Sequence, residues 1–177
     1  MMRKMATVFL FFVLSFLLWG CQVDASKLKI ELNESVDTVQ LNAEYTDPGA
    51  IGYYGDTVIS CEAIENNVDV SKLGTYTITY EANYFGTKMT KYRVVTVVDE
   101  TPPAGVLLPG VDTVLKGGTW IDAGVSATDN DLQEVLVEVQ GTVNTSFPGE
   151  VIITYILSDQ SGNQTIIERH VFVIDLE

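Results

Sequence analysis

Two stretches of the chain alternate apolar and polar residues in the same way, seventy-five residues apart. The first reads Leu73-Gly74-Thr75-Tyr76-Thr77-Ile78-Thr79-Tyr80, and the second reads Pro148-Gly149-Glu150-Val151-Ile152-Ile153-Thr154-Tyr155. Successive side chains of a β-strand point to opposite faces, so this alternation predicts strands whose Tyr, Ile and Val side chains face a core. The fold class that follows is all-β.

The two stretches belong to longer copies. At the same offset Tyr45-Thr46-Asp47-Pro48-Gly49 matches Trp120-Ile121-Asp122-Ala123-Gly124, and each copy closes on a strand-like run that ends in Asp. A repeat of this length exceeds the roughly 20–50 residues of a solenoid unit. Short strand-like runs with a turn signal about every eight to twelve residues indicate a sandwich. We therefore predict two tandem β-sandwich domains.

The expected strands follow the same plan in both copies. They span 29–32, 38–41, 58–63, 75–82 and 89–98 in the first copy, and 105–108, 113–115, 134–140, 151–158 and 165–174 in the second. In the last strand of each copy, alternation predicts an inward set of Val95, Val97, Val171 and Val173 and an outward set of Val94, Thr96, His170 and Phe172.

The first twenty residues predict an export signal. Arg3 and Lys4 give a positive start, the run from Ala6 to Trp19 is almost wholly apolar, and Gly20 is small. This order is typical of a signal peptide, whereas a membrane-spanning helix needs about 20 apolar residues. We assign residues 1–20 to a signal peptide rather than to a retained anchor helix.

The end of this segment, Leu18-Trp19-Gly20-Cys21, resembles the lipobox of bacterial lipoproteins. The resemblance implies that Cys21 becomes the first mature residue and carries acyl chains such as palmitate, enough for stable membrane anchoring. The alternative is an ordinary signal peptide with an incidental Cys21. The other cysteine, Cys61, would then have no intrachain partner, and we expect a buried structural thiol, with a reactive thiol as the alternative.

The repeats resemble the bacterial Ig-like domain family named after a pesticidal crystal protein, and they are similar to hyalin-repeat modules. The resemblance rests on residues 45–50, 70–80, 93–99 and 101–103 in the first copy and 122–130, 148–149 and 159–163 in the second. It implies two tandem Ig-like sandwiches that serve as a spacer or adhesion module and catalyse no reaction. The domains expected are a signal peptide at 1–20, a lipid-anchored tether at 21–27, Ig-like domain 1 at 28–99, a Pro-rich linker at 100–103 and Ig-like domain 2 at 104–177.

Composition limits the partners. The 177 residues include 10 Lys and Arg and 24 Asp and Glu, a formal charge of −14 that becomes −16 (8 − 24) without the leader. Nucleic acid binds proteins mainly through Lys and Arg contacts with phosphates, so we predict no nucleic-acid partner. The partners we expect are a membrane, through the lipid anchor, and an unknown protein or glycan.

Candidate chemistry is sparse. The single histidine, His170, falls on a predicted solvent face, so we expect a surface side chain rather than a catalytic base. Asp129 and Asp131 flank Asn130 and offer oxygen ligands for calcium, although Asx turns that close a β-loop explain the same residues without a metal. We predict no catalytic residue and no required cofactor, with these two aspartates as the calcium candidates.

Four aromatic residues in predicted loops of the first copy form the candidate binding surface: Tyr53, Tyr54, Tyr84 and Phe85. Adjacent aromatics on an extended chain cannot both point inward, so exposed rings could stack on sugars; the alternative is that they cover the ends of a small core. The predicted function is a non-catalytic cell-surface lipoprotein that acts as a spacer, adhesion or protein-interaction module. The alternatives are a carbohydrate-binding surface module and a small hydrolase, although small sandwiches with short loops seldom form a cleft.

Overall fold

The computed structural model of the protein describes residues 23–176, which form two β-sandwich units joined in series. The predicted signal peptide and Cys21 lie outside this range. No helix within 23–176 has the length and apolar character needed to cross a membrane. The only helical segment among these residues is the 3-10 turn Ala25–Lys27.

Unit 1 consists of seven strands in two sheets. They are β1 (Leu28–Leu32), β2 (Thr38–Gln40), β3 (Ala50–Tyr54), β4 (Thr57–Ile59), β5 (Cys61–Asn66), β6 (Gly74–Tyr84) and β7 (Thr87–Val98). One sheet has the order β1-β3-β4 and the other β2-β7-β6-β5. Every pairing in this unit is antiparallel except that of β2 with β7, where Thr38 lies opposite Thr96 in a parallel register.

Unit 2 repeats the plan. Its strands are β8 (Ala104–Leu107), β9 (Thr113–Leu115), β10 (Val125–Thr128), β11 (Leu136–Gln140), β12 (Gly149–Ser158) and β13 (Gln164–Ile174). The sheets have the orders β10-β8 and β11-β12-β13-β9, and β9 pairs in parallel with β13 as β2 does with β7. Within the described strands of unit 2, β4 has no counterpart.

Each unit has its own core, built from the alternating residues that the sequence predicts. Ile78, Tyr80 and Val95 are at most 1% exposed in unit 1, and Tyr155 and Val171 are fully buried in unit 2. Burying one such side chain stabilises the fold by about 1.5–3 kcal/mol. The predicted inward and outward sets of the last strands are both confirmed, since the four valines of the inward set are buried while Val94, His170 and Phe172 are exposed and Thr96 is half-buried.

Two strand predictions are wrong in detail. The run 58–63 is not one strand, because the chain leaves one sheet after Ile59 and enters the other at Cys61. Strands β3 and β10 were not predicted, since a glycine interrupts the first and a Pro-Gly or Ala-Gly turn precedes each. In β3 that glycine has a packing role, because a Cβ at Gly52 would lie 3.1–3.2 Å from side-chain atoms of Ile59, Ala82 and Cys61.

The chain enters and leaves unit 1 at opposite ends. The amide of Asp24 donates to Tyr54 Oη (3.2 Å), which places the entry beside the β6–β7 turn. Strand β7 ends at the other end of the unit, where the linker begins. Unit 2 receives the linker at its β12–β13 turn, since Asn163 Nδ2 donates to the carbonyl of Asp99 (3.1 Å). The two units therefore lie end to end.

Candidate functional site

Three carboxylates meet where the two units join. Asp99 directly follows β7 of unit 1, while Asp129 and Asp159 directly follow β10 and β12 of unit 2. One carboxylate oxygen of each residue lies within 4.8 Å of the others. The C-terminal ends of β10 and β12 both point toward the linker, so the fold brings together residues that are thirty positions apart in the sequence. We call these three residues the junction cluster.

Backbone amides occupy one oxygen of several carboxylates at this junction. Asp129 Oδ1 accepts from the amide of Asp131 (3.2 Å), and Asp131 Oδ1 accepts from the amide of Gln133 (2.8 Å). Asp99 Oδ1 accepts from the amide of Thr101 (3.0 Å). These contacts are Asx turns of the kind that the sequence predicts, and they fix the loops that carry the acids.

The remaining oxygens are buried without a hydrogen-bond partner. They are Asp99 Oδ2, Asp129 Oδ2, Asp131 Oδ2 and Asn130 Oδ1, and within residues 23–176 only Tyr45 Oη shares this state. A buried polar atom left unpaired costs about 1–3 kcal/mol, and more when it is charged. The Asx turns account for the Oδ1 atoms of Asp99, Asp129 and Asp131 and leave the four unpaired acceptors unexplained.

No Lys, Arg or His within residues 23–176 forms an ion pair with the junction cluster. None of the ion pairs found among the described residues includes Asp99, Asp129 or Asp159. Burial raises the pKa of Asp129, and repulsion from Asp99, Asp131 and Asp159 raises it further, against a smaller opposing effect of its backbone hydrogen bond. The junction is therefore an acceptor-rich, negatively charged site.

Asn163 and Asn130 orient the cluster across the two units. Asn163 donates from its amide to Asp159 Oδ1 (2.8 Å) and from Nδ2 to Asp159 Oδ2 (2.7 Å). Asn130 Nδ2 donates to Asp99 Oδ1 (3.1 Å). Of the two calcium candidates from the sequence, Asp129 belongs to the junction cluster and Asp131 lies outside the trio. Sequence reasoning missed Asp99 and Asp159 as partners, although both follow strands that end at the linker.

A cleft of about 410 Å³ opens beside the cluster. Leu41 and Lys72 of unit 1 line it together with Asp131, Gln133 and Gln160 of unit 2. The sequence predicts no cleft within a single small sandwich. This cleft lies instead between the two sandwiches.

Each core contains an arginine that sequence reasoning did not single out. Arg169 is 2% exposed, and its Nη1 lies 2.7 Å from Asp112 Oδ1. Nη2 donates to the carbonyls of Leu108 (2.7 Å) and Gly124 (3.0 Å). The hydrogen bond with Asp112 raises the pKa of Arg169 even though burial opposes it. The guanidinium therefore stays charged and ties three chain segments together.

Unit 1 repeats this network around Arg93. Its Nη1 lies 2.7 Å from Asp37 Oδ1, and its Nε donates to Tyr80 Oη (3.3 Å), which in turn donates to Asp47 Oδ1. Tyr155 and Asp122 take the places of Tyr80 and Asp47 in unit 2. Burial, and then the hydrogen bond to Asp47, raise the pKa of Tyr80 to about 12. The duplicated Tyr and Asp of the sequence motif are thus structural residues.

Three of the four candidate aromatics form one cluster, although they do not all lie in loops. Tyr53 and Tyr54 belong to β3 and Tyr84 ends β6, which corrects the loop prediction, because the turns are only two residues long and leave these rings in the strands. Tyr54 stacks on Tyr84 with ring centroids 4.1 Å apart, and Phe85 meets Tyr84 edge-on at 4.7 Å. Phe85, in the turn, is 85% exposed.

The remaining candidates are isolated from the junction. Cys61 is a free thiol that packs against the core of unit 1, but it is half-buried and not buried as expected, because it begins β5 at the margin of the core; burial raises the pKa of its thiol. His170 lies on the outer face, as predicted, with Nδ1 at 2.6 Å from Glu150 Oε1.

The chain was compared with known proteins. A family model described as "Bacterial surface protein, Ig-like domain" matches residues 29–97 and 111–173, which correspond to units 1 and 2. A lipoprotein from Bacteroides thetaiotaomicron is similar in structure at 15% sequence identity with a TM-score of 0.35, and the match covers 79% of this chain and 77% of that chain. No curated protein matches the chain.

Proposed function

Because the chain belongs to the family of Ig-like domains of bacterial surface proteins, we propose that it is a non-catalytic, lipid-anchored surface protein. In this proposal unit 1 is the spacer and unit 2 binds a protein partner. The observation that carries it is the serial arrangement, in which the chain enters at the free end of unit 1 and reaches unit 2 at the opposite end.

The anchor is assigned to Cys21. Asp24, whose amide donates to Tyr54 of unit 1, is three residues further along, so extended chain allows about 10 Å between the acylated residue and this contact. The body of unit 1 would then stand directly on the membrane, and unit 2 would stand away from it.

The two cysteines give a matched test of the anchor. Replacing Cys21 with Ala is expected to abolish incorporation of a labelled fatty acid into the protein, because no acyl chain can be attached. Replacing Cys61 with Ala is the control and leaves the labelling unchanged. Fatty-acid labelling that persists in the Cys21→Ala protein would refute the lipid anchor at Cys21.

The partner surface is assigned to the outer face of the four-stranded sheet of unit 2. Ile152, Ile166 and Phe172 are 44%, 63% and 46% exposed there. Ile152 lies opposite His170 across the strand pair and Ile156 lies opposite Ile166, so these side chains share one face. Exposed apolar groups gathered on one face of a soluble protein indicate an interaction surface.

Unit 1 provides an internal comparison for this face. At the positions that correspond to Ile152, Ile166 and Phe172 it carries Thr77, Thr90 and Thr96. The fold therefore tolerates polar residues at all three positions, and the apolar side chains of unit 2 are not needed for its core. Their presence supports a partner that binds this face of unit 2.

The same comparison supplies the test variant. Changing Ile152, Ile166 and Phe172 together to Thr is expected to abolish a photo-crosslinked protein adduct formed on intact cells from a reactive residue at position 154. The melting temperature should change little, because the three side chains are exposed. An adduct of undiminished yield, or no adduct from the unmodified face, would contradict the assignment.

Carbohydrate binding is the second candidate function, and the cluster of Tyr54, Tyr84 and Phe85 favours it. Stacked rings beside the largely exposed Phe85 offer the apolar surface on which sugars pack. Retention on a glycan array or on cell-wall material tests this candidate: it should be lost in Tyr84→Ala and Phe85→Ala and kept in the control Tyr92→Ala, an exposed aromatic elsewhere on unit 1. Equal loss in all three, or no retention by the unaltered protein, would exclude it.

A further inference from the structure

We propose that the junction of the two units binds one calcium ion, with Asp99, Asp129 and Asp159 as its carboxylate ligands. The site joins the last residue of unit 1 to two loops of unit 2.

The spacing of the carboxylates suits a single ion. Calcium binds oxygen ligands at 2.3–2.6 Å, so two oxygens on one ion lie at most about 5 Å apart. One oxygen from each member of the junction cluster lies within 4.8 Å of the others. The three side chains can therefore reach one ion without rearrangement of the loops.

The buried, unpartnered oxygens point to a ligand independently of the number of acids. Asp99 is only 7% exposed, and its Oδ2 has no hydrogen-bond partner while its Oδ1 is held by Thr101 and Asn130. Leaving a carboxylate oxygen in this state is costly unless a cation completes it. The free oxygen is thus buried in a residue of the junction cluster, and no donor among the described residues satisfies it.

The ligand chemistry favours calcium over other metals. The site offers only oxygen atoms, whereas structural zinc sites use Cys and His. Calcium takes six to eight oxygens in a flexible arrangement, and Asn130 Oδ1 and Asp131 Oδ2 are unpartnered acceptors in the same loop. Magnesium requires near-ideal octahedral geometry and keeps most of its water, so it should bind more weakly here.

Binding of the ion would couple the two units. Without it, three mutually repelling carboxylates lie between them, and the direct hydrogen bonds across the junction come from asparagine side chains, such as that of Asn42 to the carbonyl of Asn130 (3.2 Å). With the ion bound, the three carboxylates would coordinate one cation and no longer only repel one another. The ion would therefore set how stiffly unit 2 is held on unit 1.

Thermal unfolding of the full chain in non-ionic detergent tests the site, with EGTA compared against 5 mM CaCl₂. For a dissociation constant in the 10⁻⁴–10⁻³ M range of extracellular calcium modules, we expect the melting temperature to rise by about 3–8 °C. Titration calorimetry should give one ion per chain. An unchanged melting temperature together with no heat of binding would overturn the proposal.

The variant Asp99→Asn separates a calcium ligand from a structural residue. Its Oδ1 can still accept from Thr101, while one repelling charge is gone. We expect it to melt higher than the unaltered protein in EGTA and to lose most of the calcium-induced rise. The matched control is Asp56→Asn, an exposed acid in the β3–β4 turn, which should keep the full rise. A calcium response retained by Asp99→Asn, or a lower melting temperature in EGTA, would refute the assignment.

The metal site does not depend on the proposed partner or anchor. A missing calcium response leaves the apolar face of unit 2 and the role of Cys21 untouched, and loss of the protein adduct leaves the melting experiment valid.

Discussion

At the scale of single residues, each buried arginine is the centre of the side-chain hydrogen-bond network of its unit. Replacing Arg169 with Met is expected to lower the free energy of unfolding of unit 2 by about 2–4 kcal/mol, because the carbonyls of Leu108 and Gly124 lose their donor. The lower part of this range is favoured by the partial exposure of Asp112, at 41%.

Urea denaturation measures this effect, and Arg93→Met is the companion variant. Because each unit has its own core, each substitution should destabilise its own unit and leave the other unchanged. A single transition that shifts equally in both variants would show that the units unfold together.

Tyr80 makes stability depend on alkaline pH. An unfolded tyrosine ionises near pH 10, whereas the folded state holds the proton until about pH 12. Above pH 10, ionisation of the tyrosine lowers the free energy of the unfolded state relative to that of the folded state. The contribution of Tyr80 to stability is therefore fully present below pH 10 and is lost as the pH rises from 10 to 12. The loss is of the order of 2–3 kcal/mol, since one pKa unit corresponds to about 1.4 kcal/mol.

The variant Tyr80→Phe checks the pH effect. The difference in unfolding free energy between it and the unaltered protein should be constant from pH 7 to 9 and should shrink between pH 10 and 12. A difference that stays constant up to pH 12 would contradict the shifted pKa.

The roles of the buried arginine and of the junction cluster could be predicted only in part from the sequence. Arg93 has the same parity as Val95 and Val97, so the alternation places it inward, but arginine is usually exposed and the sequence alone indicates no structural role for it. The junction cluster was only partly predictable, because Asp129 lies in a recognisable turn while Asp99 and Asp159 become its neighbours only when the strands are assembled.

At the scale of elements, the β6–β7 turn places an exposed aromatic side chain on a strained backbone. Phe85 has φ +46° and is followed by Gly86 at φ +87°, a region in which Asn and Gly are favoured in two-residue hairpin turns. Replacing Phe85 with Asn is expected to raise the free energy of unfolding by about 0.5–1 kcal/mol.

Phe85→Ala is the control for this prediction, since it removes the ring but keeps a left-handed residue with a Cβ. Chemical denaturation should rank Asn above both Phe and Ala. If Asn is no better than Ala, the strain is not what the substitution relieves.

Element types were predictable where alternation was long and uninterrupted, as in β6, β7, β12 and β13, which are all confirmed. Alternation could not show where a chain changes sheets, because Ile59, Ser60 and Cys61 continue the pattern across the break between β4 and β5. It also could not show that Gly52 sits in a strand, since only the assembled sheets bring Ile59 and Ala82 against it.

At the scale of the whole molecule, Asn163 of unit 2 holds the linker through hydrogen bonds to the carbonyls of Asp99 and Thr101. Pro103 is fully buried, whereas Pro102 is exposed. We expect Pro103→Gly to broaden the distribution of inter-unit distances, because it removes a packed ring, and Pro102→Gly to change it much less. Spin labels on the two units, read by pulsed electron resonance, measure this distribution. Equal broadening in both variants would show that general stiffness of the linker matters more than its packing.

The family assignment was accessible from the sequence because its motif occurs twice, so each copy supports the other. The chemical difference between the two units could not be predicted from the sequence. The end of unit 1 that faces the entering chain carries Tyr54, Tyr84 and Phe85, while the equivalent end of unit 2 carries Asp129 and Asp159, and only the assembled structure shows that these ends correspond.

The parallel pairing of β2 with β7 and of β9 with β13 has a mechanical consequence. A pull on opposite ends of a unit slides the early strand along the late one, because their chain directions agree. Their hydrogen bonds then bear the load together and do not break one at a time, as they would if a hairpin were peeled open. A tethered protein that is dragged by flow would thus yield by abrupt rupture of this short patch, at a force set by three residue pairs in each unit.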